Sequence, residues 1–247
     1  MVMFDFSDKT SFQYKNFEFF VNQETNEPRP LHTMDRSGFP YQFVDEPESP
    51  KIFTEDNLLS KDECDYLIWL ATESEDWWIP TIPFWEDRNC PLFGMLENRP
   101  SAGLVSQKIA LDIHDRIKRT ISEWFGQEVY VDQIGIVRWP VGSWQMTHID
   151  QVEGLDRVAG SVVFLNDDYT GGKPFYPYYG LQVQPKTGML YAHDAGHSHL
   201  HGVTKISGTT RYTISSTWTK NPALERYKEL MALARNKVAS VQFHDMS

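Results

Sequence analysis

His148-Ile149-Asp150 sets an imidazole and a carboxylate two positions apart. On an extended strand such residues point to the same face, so both can reach one ion. A third ligand must then come from another strand, and His201 lies beyond several strand-like segments, far enough along to return to the same place. Two imidazoles and one carboxylate on one side of a metal leave its opposite side open. That set suits Fe(II), which has to bind an oxidisable co-substrate and O₂ together. A His-x-Asp pattern alone is weak, because short motifs recur on surface strands and turns. Arg211 strengthens it: it follows His201 by ten positions and would fall on a neighbouring strand. A guanidinium there can pair in bidentate fashion with a ligand carboxylate; its plainer role would be a sheet-surface ion pair.

The stretch His197-Ser198-His199-Leu200-His201 holds three histidines of one strand parity, so each could face the metal. Only His201 combines the spacing to Arg211 with a following Gly-Val, and it is the preferred ligand. His199 is its rival, while His193 and His197 are expected on a loop or at the pocket rim. A three-histidine site of the cupin type is the chemical alternative, but it gives Arg211 no role. His114 lies beside the apolar stripe of a helix and is expected on the helix surface, not as a ligand.

A scaffold of short strands must position these residues. Over 129–218, runs rich in Val, Ile, Tyr, Phe and Trp alternate with Gly, Pro, Asn and Asp. Candidate strands span 133–139, 161–165, 181–184, 189–191, 202–205 and 212–217. Many short strands with turn signals point to a β-sandwich or jelly roll. Helices flank this region. Ser60-Lys61-Asp62-Glu63 is a capping box that opens one, followed by Tyr66, Leu67, Leu70 and Ala71 at helical spacing. A second is expected over roughly 101–125, with Leu104, Ile109, Ile113, Ile117 and Ile121 as its apolar stripe and Gly126 as its stop. A third is expected over 221–238, capped by Asn221, with Pro222 in its first position and Leu224, Tyr227, Met231 and Ala234 on one face. Residues 1–52 show no sustained period, though Phe17, Phe19, Phe20 and Val21 could form a short strand, and they read as an arm that packs on the domain formed by 53–247.

Composition narrows the function. A net charge of −11 argues against nonspecific nucleic-acid binding, which needs clustered Lys and Arg. No segment is long and apolar enough to span a bilayer, and the first residues lack the layout of a signal peptide. With only Cys64 and Cys90, a disulfide scaffold and a thiolate zinc site are both unfavoured. The expectation is a protein of the cytoplasm without nucleic-acid or membrane partners. A homodimer through the terminal segments is compatible with the sequence, which does not fix the oligomeric state.

The order of these elements resembles the catalytic domain of prolyl 4-hydroxylases and the wider Fe(II)/2-oxoglutarate dioxygenase superfamily. The resemblance runs through Arg138-Trp139-Pro140-Val141-Gly142, His148-Ile149-Asp150, Arg157 and the strand ending Phe164-Leu165-Asn166. It continues through Gly171-Gly172-Lys173-Pro174-Phe175, Pro185-Lys186-Thr187-Gly188, His201-Gly202-Val203 and Arg211-Tyr212, and covers about residues 133–218. Asn57-Leu58-Leu59-Ser60, at the start of the first helix, also fits.

The resemblance implies a fold that is α+β but mainly β, a double-stranded β-helix (jelly roll) with supporting helices. It implies Fe(II), 2-oxoglutarate and O₂ as cofactor and co-substrates, and is compatible with ascorbate as an ancillary reductant. His148, Asp150 and His201 match the iron ligands, and Arg211 matches the basic residue that pairs with the distal carboxylate of 2-oxoglutarate. Thr213 or Thr217 could assist in that pocket. Two positions depart from the pattern: Trp139 stands where a Tyr is usual, and Arg211 where collagen-type enzymes more often carry Lys. The implied reaction is hydroxylation of an unactivated C–H bond, with a prolyl residue in a peptide as substrate; a free amino acid or other small molecule is the alternative. Trp77, Trp78, Trp85 and Trp144 could wall a peptide groove or simply fill the core. The nucleic-acid-repair branch typically carries a second Arg six positions past the first, where this chain has Thr217. A catalytically silent sandwich is disfavoured by the intact ligand set.

Overall fold

The computed structural model describes residues 11–14, 17–20, 51–73, 89–91 and 103–239. Its strands are β1 (Ser11–Tyr14), β2 (Phe17–Phe20), β3 (Ile52–Glu55), β4 (Asn89–Pro91), β5 (Tyr130–Trp139), β6 (Gln145–His148), β7 (Arg157–Phe164), β8 (Pro174–Tyr176), β9 (Leu181–Val183), β10 (Leu190–Asp194), β11 (His201–Val203) and β12 (Arg211–Thr219). The α-helices are α1 (Lys61–Thr72), α2 (Gly103–Phe125) and α3 (Lys228–Ala239). All described strand pairs are antiparallel. They form a major sheet, β3-β10-β7-β12-β5-β4, and a minor sheet, β1-β2-β9-β8-β11-β6. This is the expected jelly roll.

The major sheet divides its residues by parity, as a pleat requires. Ile134, Ile136, Ala159, Val163, Leu190, Ala192, Ile214 and Trp218 join one apolar cluster with Leu67, Leu70, Ile113, Ile117, Ile121 and Met231 of the three helices. One face of the sheet is thus sealed by helices. Residues of the opposite parity turn toward the minor sheet: Phe164 and Tyr191 meet Tyr176, Leu181 and Val183, while Val137 and Trp139 meet Val203 and Ile206. The candidate site lies on this inner side.

The helix signals hold where capping chemistry is local. Ser60 accepts from the Glu63 backbone N–H, and the Glu63 carboxylate accepts from the Ser60 N–H, which completes the capping box on α1. Such caps contribute about 1 kcal/mol. Gly126 adopts φ of 66° after α2, the left-handed stop that glycine tolerates. The C-terminal segment departs from expectation. Asn221 caps only a 3-10 turn, Pro222–Leu224, after which Glu225 is extended and Tyr227 has φ of 62°. The Arg226 N–H donates to the Val131 carbonyl at 2.9 Å, and this anchor to β5 breaks the expected single helix so that α3 begins at Lys228.

Strands β1, β3, β4, β6 and β8 were not among the expected segments. Each is three or four residues long, and Gln145-Met146-Thr147-His148 or Pro174-Phe175-Tyr176 carries too little alternation or β-branching to stand out. Their pairing comes from neighbours, not from local preference. His114 also departs from expectation: it is buried, 1% exposed, with its ring 5.8 Å from Trp218, and belongs to the core under α2.

Candidate metal centre

Adjacent strands bring the two outer ligands together. β6 and β11 pair in a register that sets His148 opposite His201, and their ring centroids lie 4.3 Å apart. β6 ends at His148, so Asp150 is not the extended-strand residue its spacing implied; it sits in a bend two residues later. Backbone bonds hold that bend in place. The Gln151 N–H donates to Ala195 O at 3.0 Å, and Arg157 Nη1 donates to Asp150 O at 2.9 Å. Asp150 Oδ1 then stands 3.6 Å from His148 Nε2 and 4.0 Å from His201 Nε2. One ligand atom from each of the three residues lies within 4.8 Å of the others, so the trio could hold a metal ion.

Protonation suits that role. His201 Nδ1 lies 2.9 Å from the His199 carbonyl. A carbonyl only accepts, so Nδ1 carries the proton and Nε2 turns its lone pair to the site. Burial pushes His201 well below the ordinary histidine value and keeps the ring neutral. Burial by itself would raise the Asp150 carboxyl, but the bond to His148 and the surrounding imidazoles outweigh it and hold the group well below the usual carboxylate range. The ligand set is a carboxylate among imidazoles, the donor chemistry expected of an Fe(II) site.

The remaining histidines do not share strand parity. His197–His199 forms a 3-10 turn, and the strand begins only at His201. His197 is exposed. His199 is buried, and its Nε2 accepts from the Lys51 N–H at 3.0 Å, so its acceptor atom is engaged away from the triad. His193 corrects the expectation of a loop or rim position. It lies on β10, 1% exposed, with Nε2 3.5 Å from Asp150 Oδ2. Gly160 makes room for the pair: a Cβ there would fall 2.0 Å from Asp150 Oδ2 and 2.7 Å from His193 Nε2. Its even spacing from Tyr191 is the signal in the sequence for this strand position.

Arg211 begins β12 opposite Trp139 of β5. Its side chain is 1% exposed, and its guanidinium carbon lies 5.1 Å from the Trp139 ring centroid and 5.3 Å from that of Phe164. Trp139, 3% exposed, therefore walls this pocket with a ring face. Nε and Nη1 of Arg211 have no hydrogen-bond partner among the described residues. Gly172, at φ of 61°, lets the chain pass this close, since a Cβ would meet Arg211 Cδ at 3.0 Å and Tyr169 Cε2 at 2.9 Å. Thr213 shares Arg211's strand face and is fully buried, with its hydroxyl 3.4 Å from that of Ser215. Thr217 has other work: its hydroxyl donates to Asp132 Oδ2 at 3.1 Å. Tyr191 lies between the two ends of the site, where its hydroxyl feels both Arg211 and Asp150, and burial raises its pKa.

A buried ion pair stands behind the ligands. Asp132, 1% exposed, accepts from Arg157 Nε at 2.8 Å and from Nη2, while Arg157 Nη1 holds Asp150 O. Beside this, Gln151, Arg157 and Asp194 share with Lys51, Trp124 and Phe125 an open cleft of about 630 Å³. Trp144, 37% exposed, stands at the head of β6. Trp77, Trp78 and Trp85 lie outside the described residues.

Comparison with known proteins adds a family context. No family model matches the chain. Over 80 residues it is 36% identical to 2-oxoglutarate and iron-dependent oxygenase domain-containing protein 3 of Xenopus tropicalis. The match covers 30% of this chain and 25% of that protein, so the chain spans about a quarter of the length of this relative. Among solved structures it is similar to a prolyl-4-hydroxylase of Pseudomonas putida, with TM-score 0.51 and 14% identity over 70% of this chain and 94% of that one. It is also similar to a truncated form of the viral collagen prolyl hydroxylase of Paramecium bursaria Chlorella virus-1, with TM-score 0.50 and 18% identity over 74% and 98%. The chain has the fold of these two prolyl hydroxylases. Among the described residues no helix is long and apolar enough to cross a membrane.

Proposed function

We propose that this chain is an Fe(II)- and 2-oxoglutarate-dependent oxygenase that hydroxylates an unactivated C–H bond. The observation that carries this reading is Arg211, a buried guanidinium with Nε and Nη1 unpartnered, on the side of the major sheet that faces the triad. A buried guanidinium left with two unfilled donor positions is costly. Such a group is tolerated when a ligand anion completes it, and a dicarboxylic keto acid supplies one carboxylate for Arg211 and another for an ion on His148, Asp150 and His201. When bound, Fe(II) and 2-oxoglutarate would supply the oxidising power, drawn from O₂ with release of succinate and CO₂.

The chain's own residues would do the rest. His148, Asp150 and His201 would fix the ion with one face open. Arg157 and Asp132 would keep the Asp150 bend from shifting. Arg211, backed by Trp139 and Phe164 and flanked by Thr213, would orient the distal carboxylate by bidentate pairing. Tyr176, Tyr191 and Phe164, all buried, would keep water from the space between. As substrate we propose a prolyl residue in a peptide, in keeping with the structural neighbours that act on proline.

The test is an anaerobic titration of the metal-free protein with Fe(II) and then 2-oxoglutarate, reading the visible charge-transfer band of a chelated keto acid. A band that needs His201 and whose 2-oxoglutarate affinity falls roughly 10- to 100-fold in Arg211→Ala is the expected result, the worth of a charged bidentate contact. Bound iron with no band would overturn the reading. Succinate release stimulated by prolyl peptides but not by free amino acids would carry the substrate assignment, and the reverse would replace it.

A further inference from the structure

Arg211 and Tyr169 converge on one notch in the chain. A Cβ on Gly172 would meet Tyr169 Cε2 at 2.9 Å, Arg211 Cδ at 3.0 Å and Ile206 Cγ1 at 3.0 Å, so the ring and the guanidinium stem border the same point. Tyr169 packs against the apolar cluster of Val137, Trp139, Val203 and Ile206. Trp139 is also the ring that backs the guanidinium. The two side chains therefore share one apolar-walled pocket.

Both hold donors that nothing in the protein takes up. The Tyr169 hydroxyl is buried without a hydrogen-bond partner among the described residues, as are Nε and Nη1 of Arg211. Burial raises the Tyr169 pKa and the neighbouring guanidinium opposes the rise, yet no hydrogen bond closes between the two. Unfilled donors in a buried pocket are costly unless a ligand completes them. A guanidinium can only donate and a phenol has one proton to give, whereas a carboxylate accepts at about four lone-pair sites. One carboxylate can thus satisfy both residues at once.

The segment that carries Tyr169 is tied to the approach to β12. Thr170 and Ser207 exchange backbone hydrogen bonds of 2.9 and 2.8 Å. Asn166 donates to the Thr210 carbonyl at 2.9 Å and accepts from the Tyr212 N–H at 2.7 Å. The Thr209 hydroxyl donates to the Asp168 carbonyl at 3.1 Å. Donors fixed in advance lose little freedom when a ligand arrives.

We propose that Tyr169 is a second anchor for the far carboxylate of 2-oxoglutarate, its hydroxyl donating to the group that Arg211 pairs. The inference rests on the 2-oxoglutarate reading of Arg211 and deepens it.

Calorimetry without O₂ would follow 2-oxoglutarate binding to the Fe(II)-loaded protein in wild type, Tyr169→Phe and Arg211→Ala. The expected result is affinity about tenfold or more weaker in Tyr169→Phe, the worth of a hydrogen bond to a charged group. The ligand-free Phe variant should meanwhile unfold at no lower urea concentration than wild type, because its hydroxyl had no partner to lose. A role in packing alone predicts the reverse, lower stability with unchanged affinity, and would overturn the proposal. 2-Oxobutanoate has the same keto-acid end and no far carboxylate, so wild type and Tyr169→Phe should bind it alike; an equal penalty for both keto acids would also overturn the anchor. Affinity for 2-oxoglutarate that falls in Arg211→Ala but not in Tyr169→Phe would sink this proposal and leave the proposed function standing. Wild type that takes up Fe(II) but no 2-oxoglutarate would overturn both.

Discussion

Arg157 reaches past its own partner Asp132 to donate Nη1 to the backbone carbonyl of Asp150 at 2.9 Å, so one guanidinium ties a buried carboxylate to the bend that carries a candidate metal ligand. Replacing it with Met would leave Asp132 with Thr217 and the largely exposed Arg226 as remaining partners. Stripping a buried ion of its main partner costs about 3 kcal/mol or more. Chemical denaturation of Arg157→Met should show that loss. Arg157→Lys, which keeps the charge but not the fork, should recover most stability while metal affinity still falls, about tenfold. Equal metal affinity in wild type and Lys variant would mean the bend holds itself.

Gly160→Ala puts a methyl where Asp150 Oδ2 and His193 Nε2 already stand. The major sheet can form around it, because Gly160 pairs through its backbone with His193 and Thr217. The expected outcome is near-native circular dichroism with metal binding lost or weakened by more than tenfold in calorimetry. Undiminished binding would show that Asp150 can retreat.

His199 gives the fold an acid limb. Burial lowers its pKa to about 4, against 6.5 for an exposed imidazole, and its Nε2 must stay unprotonated to accept the Lys51 N–H. Above pH 6.5 the ring is neutral in both states and costs nothing. As pH falls from 6.5 toward 4, the unfolded chain takes up the proton and the folded chain does not, so stability drops, by on the order of 2–3 kcal/mol. His193 and His201 shift in the same direction, so the His199 share is the difference between wild type and His199→Gln in urea melts of the metal-free protein at pH 7.5 and 4.5. Parallel losses in the two proteins would remove His199 from the account.

Cys64 should resist alkylation. It is fully buried on α1, and burial with the fields of Glu63 and Asp65 raises its thiol to about 12. At pH 8 roughly one molecule in ten thousand would carry the thiolate, against about a quarter for an ordinary cysteine. Iodoacetamide followed by peptide mapping should find Cys64 unmodified until denaturant is added. Modification within minutes in the native protein would contradict the burial.

The parts of this site legible in the sequence are those set by short-range order. Ser60 and Glu63 declare a helix start because both partners of the cap lie within one turn. His148, Asp150 and His201 declare a ligand set because their types and order have few other uses together. Arg211 stands out by its distance from His201, and the structure buries its guanidinium with Nε and Nη1 unpartnered among the described residues. What stayed hidden depends on registry between strands: His193 comes within 3.5 Å of Asp150 because β10 runs beside β7 at Gly160, and the Thr217 hydroxyl is engaged by Asp132. The strand parity assumed for His197 and His199 failed because a 3-10 turn replaces the strand there, and no periodicity over five residues separates the two.

β12 lies in the middle of the major sheet, between β7 and β5, yet follows both in the chain. Until it is made, a growing polypeptide holds β5 and β7 with nothing between them, each an open edge able to recruit another strand. Synthesis at the ribosome therefore delivers the keystone late, and assembly of the sheet must wait for residues 211–219 to clear the exit tunnel. A chain of this design stands to gain from a chaperone that shields nascent strands, and truncated products that stop short of Arg211 should aggregate instead of folding partway.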